Sequence, residues 1–205
     1  AMHSATVLPD GRIMVIGGFT GIGAAEPCSN GLCHSLTATS TIDIYNPRTG
    51  AFEAPTGLEL AHPRAMHSAT LLPDGLVLVT GGVGSALLRV RFDNGPQPLL
   101  ETSLQSADDP AGLTAELIDL EGRGLTEIDL DPARPRSLHS ALAIESDVFV
   151  LGGLVPGSNE ALASNAYFSG STQQWQETED GALGVPRQAL VALVLDADRL
   201  FVWGG

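Results

Sequence analysis

The chain has 205 residues, of which 43% are apolar and 17% charged, and its 24 glycines and 13 prolines are typical of an ordered, turn-rich protein with enough apolar material for a core. The formal charge is −14, since 24 acidic residues outnumber 10 lysines and arginines. That balance argues against phosphate-backbone binding and predicts no nucleic-acid partner. The apolar runs have the length of strands, so the sequence also predicts no membrane-spanning segment.

The first predicted element is a β-hairpin near the start of the chain. Two short apolar runs, one ending at Leu8 and one covering 13–16, flank Pro9-Asp10-Gly11, which suits a tight reversal between antiparallel strands. The second run, Ile13-Met14-Val15-Ile16, is apolar at every position. Both of its faces must therefore be covered by other parts of the chain.

The two cysteines follow, as Cys28 and Cys33. Between them Ser29-Asn30-Gly31 reverses the chain and brings the sulfurs together, so we expect a disulfide, which in the chain-entropy model stabilises this segment by about 2 kcal/mol. The competing interpretation is a zinc or redox pair with the neighbouring His34, but zinc pairs usually have C-x2-C spacing with two further ligands. A disulfide implies an oxidising compartment, hence an extracytoplasmic (secreted, periplasmic or cell-surface) location.

A second hairpin is predicted over residues 41–53. The run 41–45 and the run 51–53 are separated by Asn46-Pro47-Arg48-Thr49-Gly50. Proline presets a negative φ, and asparagine and glycine tolerate turn geometry, so this pentapeptide indicates a reversal.

The same features then recur along the chain. Residues 65–75 repeat the first eleven with Leu71 in place of Val7. A glycine pair closes the second strand of each unit, at Gly17-Gly18, Gly81-Gly82, Gly152-Gly153 and Gly204-Gly205. Three units open with Pro-Arg, at Pro63-Arg64, Pro135-Arg136 and Pro186-Arg187. We therefore predict a single array covering 1–205, with repeats at about 1–63, 64–135, 136–186 and 187–205, the last incomplete.

The order of these features resembles the Kelch repeat: an Arg and a small-residue strand, a strand closing in Gly-Gly, and an outer hairpin with aromatic residues seven apart, as in Tyr45 to Phe52. The resemblance implies an all-β chain in which each repeat is a four-stranded blade of a Kelch-type β-propeller. About three and a half blades are present, as a partial propeller completed by a second copy or as part of a larger one in a longer chain. Unit two departs from the pattern, with Glu121 in place of the tyrosine and a short turn to Leu125.

Histidine and arginine recur at equivalent positions of the repeats. His3, His67 and His139 correspond to one another, and Leu190 takes their place in the fourth unit. A position that accepts leucine favours packing or a backbone hydrogen bond over a shared metal or catalytic ring. The Pro-Arg arginines are interpreted mainly as ties between successive strands, with contact to an anionic ligand as the alternative.

The sequence shows no pattern of a catalytic group. No helical period follows the glycine pairs, so a nucleotide site is not expected, and Asp108-Asp109 or Asp129 with Asp131 lack the spacing of a calcium loop. The resemblance keeps an enzyme as the alternative function, because Kelch-like propellers include copper oxidases of the galactose oxidase type and sugar-acid isomerising enzymes. Copper needs converging Tyr and His ligands, whereas Tyr45 and Tyr167 fall on outer hairpins. We expect no catalytic residue, no metal and no cofactor.

The leading expectation is a non-enzymatic recognition module that binds a protein, a peptide or a glycan. In a Kelch-type propeller the segments after the glycine pairs and those around Pro-Arg emerge on one face. The former are long and dissimilar loops here, at 19–40, about 83–114 and 154–163, and variable loops on a rigid scaffold commonly carry binding residues. Candidate binding residues on that face are Asn30, His34, Arg64, Arg136, Asn159 and Arg187.

Overall fold

The fold was obtained as a computed structural model. It describes residues 1–28, 31–53, 57–91, 99–104, 109–122, 124–130, 134–158, 160–177, 183–196 and 199–205. Its elements, in chain order, are β1 (Ser4–Val7), β2 (Ile13–Ile16), β3 (Phe19–Ile22), β4 (Glu26–Cys28), β5 (Gly31–Ala38), β6 (Ile42–Asn46), β7 (Ala51–Glu53), β8 (Ser68–Leu71), β9 (Val77–Thr80), β10 (Ser85–Arg91), β11 (Leu99–Leu104), α1 (Pro110–Leu113), β12 (Thr114–Asp119), β13 (Gly124–Asp129), β14 (Ser140–Ile144), β15 (Asp147–Leu151), β16 (Leu154–Val155), β17 (Glu160–Ala161), β18 (Asn165–Ser169), β19 (Gln174–Glu177), β20 (Val191–Asp196) and β21 (Arg199–Trp203).

Successive repeats form successive four-stranded antiparallel sheets. The strand orders are β1-β2-β6-β7, β8-β9-β12-β13 and β14-β15-β18-β19, and β20 pairs with β21 as a two-stranded hairpin. Each sheet thus consists of an inner hairpin and an outer hairpin whose first strand pairs with the second strand of the inner one. The predicted all-β class and the two hairpins per repeat are confirmed.

The turns form as the local sequence predicts. In the Pro-Asp-Gly turn between β1 and β2, the Gly11 amide donates to the Leu8 carbonyl oxygen at 2.9 Å, and Gly11 has a φ of +86°. In the outer turn the Gly50 amide donates to the Asn46 carbonyl oxygen, also at 2.9 Å. Unit two keeps its outer hairpin despite the missing tyrosine, because the Asp119 carboxylate accepts a hydrogen bond from the Gly122 amide at 2.8 Å and closes the shorter turn.

The core lies between neighbouring sheets, so a central strand is covered on both faces. All four residues of β9 are buried. Its Val77 and Val79 pack towards the first sheet, in a cluster with Met14, Ile16, Ile42, Ile44 and Ile118. Leu78 packs towards the third sheet, in a cluster with Leu117, Val148, Val150, Phe168 and Trp175. Burial of each such side chain stabilises the fold by about 1.5–3 kcal/mol, so the stacked sheets depend on one another.

A row of backbone hydrogen bonds links the residues that lie two positions before the first strand of each sheet. The Met66 amide donates to the Met2 carbonyl oxygen at 3.0 Å, Leu138 donates to Met66 at 3.0 Å, and Ala189 donates to Leu138 at 2.7 Å. All four residues have positive φ, between +51° and +62°. We call Met2, Met66, Leu138 and Ala189 the positive-φ ladder. For a residue other than glycine this conformation costs about 1–2 kcal/mol, so packing between sheets must impose it.

The sequence predicts loops for the long segments after the glycine pairs, but the structure shows paired strands in them. Those of repeats one and two together form a five-stranded antiparallel sheet of order β11-β10-β5-β3, with β4 also paired to β5, which we call the added sheet. The third segment contains the short hairpin of β16 and β17. Pairing supplies partners for backbone groups that would otherwise lie unpaired next to the core.

Among the described residues no helix is long and apolar enough to cross a membrane. The helix α1 has four residues.

Candidate functional site

The glycine pairs serve the contact between repeats. A Cβ atom on Gly81 would lie 2.2 Å from the Arg136 carbonyl oxygen and 2.7 Å from Cε1 of His139. The neighbouring Gly82 amide donates to that same oxygen at 2.9 Å. Gly17 is in the same position with respect to His67. These geometries support a structural role for the glycine pairs, with no space for a side chain at Gly17 or Gly81.

The repeated histidines contact the preceding sheet. Nε2 of His67 lies 2.8 Å from the Ser4 hydroxyl, and Nε2 of His139 lies 2.7 Å from the Ser68 hydroxyl. Burial lowers the pKa of His67 and that of His139 to about 3, and the nearby charges of Arg64 and Arg136, respectively, contribute to a lesser extent. Both rings are therefore neutral at physiological pH, and their contacts support the packing role that Leu190 had suggested.

Arg64 is fully buried and links several segments of the second repeat through hydrogen bonds. Its side chain is 0% exposed. The guanidinium donates to the carboxylate of Glu116 at 2.5 Å and to three carbonyl oxygens, those of Gly81, Ala111 and Thr114, at 3.1, 2.9 and 3.0 Å. A ligand approaching from solvent does not reach this group in the present conformation.

The other Pro-Arg arginines make the equivalent contact. Arg136 is also buried and donates to the carbonyl oxygens of Gly152 and Ser164 at 3.1 and 3.3 Å. Arg187 is partly exposed, and it donates to the Gly204 carbonyl oxygen at 2.6 Å. In each of these three repeats the arginine therefore donates to the carbonyl oxygen of the first glycine of the pair, which agrees with the structural interpretation of these residues.

An apolar groove lies where the positive-φ ladder meets the added sheet. It has a volume of about 430 Å³ and is lined by Ala1, Met2, Phe19, Thr20, Gly21, Ile22, Leu36, Met66 and Leu88. A volume in this range is typical of small-ligand and side-chain binding sites. We call it the apolar groove.

Strand alternation explains the apolar wall of the groove. Leu36 on β5 is paired with Ile22 on β3 and with Ala86 on β10, and cross-strand partners point to the same face. Leu88 lies two residues beyond Ala86 and shares that face. At the base, Met66 and Leu36 pack on a buried cluster that contains Phe19. The period-2 pattern of residues 31–38 and 85–91 is the signal in the sequence from which this wall could have been predicted.

His34 lies beside the groove, next to the predicted disulfide. It is paired with Leu88 across β5 and β10, and its Nδ1 lies 3.1 Å from the Gly23 carbonyl oxygen. The Cys28–Cys33 disulfide is confirmed, with a Cα–Cα distance of 5.8 Å, and it joins β4 to β5. Of the predicted binding residues, His34 is thus brought close to the groove, while Asn30 and Asn159 lie outside the described residues.

The acidic residues considered for calcium are accounted for only in part. Asp109 caps α1, accepting from the Gly84 amide at 2.6 Å and from the Ala111 amide at 3.0 Å. Asp108 and Asp131 lie outside the described residues. Among the described ones no group of three or more His, Cys, Asp or Glu side chains is placed to hold a metal ion.

Comparison with known proteins shows similarity at the level of the fold. No protein-family model and no curated protein match the chain. By structure, 160 chains match, so the arrangement is a recurrent one. One is titled "Structure of YjhT": it is 13% identical, with a TM-score of 0.64, and the match covers 93% of this chain and 55% of that one. The chain therefore spans about half the length of YjhT, and at this identity the similarity concerns the fold alone.

Proposed function

We propose that the chain is a Kelch-type β-propeller segment of about three and a half blades and that it acts as a non-enzymatic recognition module for a protein or peptide. Three features support the propeller arrangement: the repeated four-stranded sheets, the burial of both faces of β9 between neighbouring sheets, and the positive-φ ladder that links the residues just before the first strands.

The observation that carries the recognition role is the apolar groove. Of its nine lining residues, Thr20 is the one with a polar side chain, and Phe19 is the one aromatic residue. Sugar recognition relies on several polar side chains, whereas a protein segment can insert an apolar side chain into such a groove. The lining therefore favours a protein or peptide over a glycan.

The surroundings of the groove suit presentation to an external partner. The added sheet forms one wall on regular strands, and the Cys28–Cys33 disulfide ties its β4–β5 hairpin. Such preorganisation lowers the entropic cost of binding. The disulfide also supports our proposal of an extracytoplasmic location, because disulfides persist in oxidising compartments.

Selection from a displayed library of random peptides tests this function. Wild-type protein should enrich peptides that contain apolar residues, and Leu88→Ser in the groove wall should weaken their binding about tenfold or more. Leu193→Ser is the matched control, since Leu193 is exposed on β20 and does not line the groove. Thermal melting checks that both variants fold. The proposal is wrong if no peptide is enriched, or if Leu193→Ser removes binding while Leu88→Ser does not.

A further inference from the structure

We propose that Met2 and Met66 determine what the apolar groove binds, and that their thioethers contact an aromatic side chain of the partner. This inference rests on the proposed recognition function of the groove and adds the chemical class of the group that is bound.

The distribution of the methionines is the first observation. The chain has three. Met14 is 0% exposed in the core, whereas Met2, 53% exposed, and the half-buried Met66 both line the groove. Methionine is flexible and polarisable, adapts to an incoming group, and gains about 0.3–1.5 kcal/mol from a contact between its sulfur and an aromatic ring. Two such side chains at one groove therefore form a surface suited to an aromatic ligand group.

The backbone is the second observation, because it fixes the positions of the two methionines relative to each other. Met2 and Met66 have φ values of +62° and +59°, and the Met66 amide donates to the Met2 carbonyl oxygen at 3.0 Å. Glycine adopts this conformation without the steric cost, and it does so at the turn residues Gly11 and Gly75. The other two residues of the positive-φ ladder have the same conformation outside the groove, so packing between repeats imposes it, and at Met2 and Met66 it fixes the backbone from which the two side chains line the groove. The hydrogen bond between the two residues also sets their spacing along the groove.

Charge favours an uncharged group over a cationic one. No lining residue of the groove has a charged side chain. By contrast, exposed acidic residues lie at the tips of the hairpin turns, at Asp10, Asp74, Glu121 and Glu145. A lysine or arginine side chain would lose its hydration in the groove without meeting an opposite charge there. An aromatic side chain has no such cost.

Methyl NMR of protein labelled with [¹³C-methyl]methionine tests the contact directly, because its three methionines give two reporters in the groove and one in the core. Titration with N-acetyltryptophanamide should shift the Met2 and Met66 methyl signals through the ring current and leave the Met14 signal unchanged. N-acetyl-lysinamide should shift none of them. The inference is overturned if the aromatic probe shifts no groove methyl, or if N-acetyl-leucinamide binds as tightly as the aromatic probe.

Met66→Gly removes the side chain and keeps a residue suited to positive φ. The N-acetyltryptophanamide concentration for a half-maximal shift of the Met2 methyl should rise about tenfold, and thermal melting checks that the variant folds. Leu138→Gly is the control, since Leu138 belongs to the same ladder but does not line the groove. It should leave probe binding unchanged.

If selected peptides need Leu88 but bind Met66→Gly as well as wild type, this inference fails and the proposed function stands. If the probe shifts the groove methyl signals as described and no peptide is enriched, the proposed recognition of peptides fails, while the preference of the groove for an aromatic group stands.

Discussion

Replacement of Gly81 by alanine should destabilise the protein far more than replacement of Gly75. Both glycines have positive φ, +66° and +91°. A Cβ on Gly75 meets no atom within 4 Å, so Gly75→Ala has only the backbone cost of about 1–2 kcal/mol. On Gly81 the new atom would lie 2.2 Å from the Arg136 carbonyl oxygen and 2.7 Å from the His139 ring, and backbone has to move. Overpacking of this kind adds about 1–3 kcal/mol.

The displaced oxygen also accepts the Gly82 amide at 2.9 Å, and a lost hydrogen bond adds about 0.5–1.5 kcal/mol. The total for Gly81→Ala is then about 2.5–6.5 kcal/mol. Urea unfolding of wild type and of both variants measures the difference, with equal m-values as the check that the transitions are comparable. Equal losses of stability in Gly75→Ala and Gly81→Ala would show that the close contact between repeats does not exist.

Two further substitutions probe the buried polar groups. Since the folded pKa of His67 is about 3 and the unfolded value is about 6.5, its contribution to stability is complete above pH 6.5 and is lost as the pH falls, by up to about 1.4 kcal/mol per pH unit. His67→Leu should therefore reduce the loss of unfolding free energy between pH 7.5 and 5, and an unchanged loss would contradict the burial of this ring. Glu116→Gln leaves a buried arginine uncompensated and should cost about 3–5 kcal/mol in urea unfolding. Its control, Glu101→Gln at an exposed ion pair, should cost at most about 1 kcal/mol, and equal effects would refute the argument.

Local sequence was sufficient for the hairpins and for the disulfide. Pro9-Asp10-Gly11 and Asn46-Pro47 specify reversals through their own φ preferences, and six residues from Cys28 to Cys33 place both sulfurs on one short hairpin. The structural interpretation of His67 also followed from comparison among repeats, because Leu190 at the equivalent place showed that no ionisable group is needed there.

The candidate site was predictable only in its general location. The sequence pointed to the segments 19–40 and 83–114, and the groove wall does come from them. It did not show that β5 pairs with β10, because strand pairing between segments about fifty residues apart has no local sequence signal. For the same reason Arg64 and Arg136 were candidates for ligand contact, although tertiary packing buries both of them.

Short-range rules thus determined the inner and outer hairpins of the repeats and the disulfide, since turn geometry and strand alternation depend on a few adjacent residues. Tertiary structure alone decided which side chains meet. The positive φ at Met66 and the juxtaposition of Met66 with Leu36 and Leu88 result from contacts between different repeats. Such contacts depend on how whole sheets pack, which no single segment of the chain encodes.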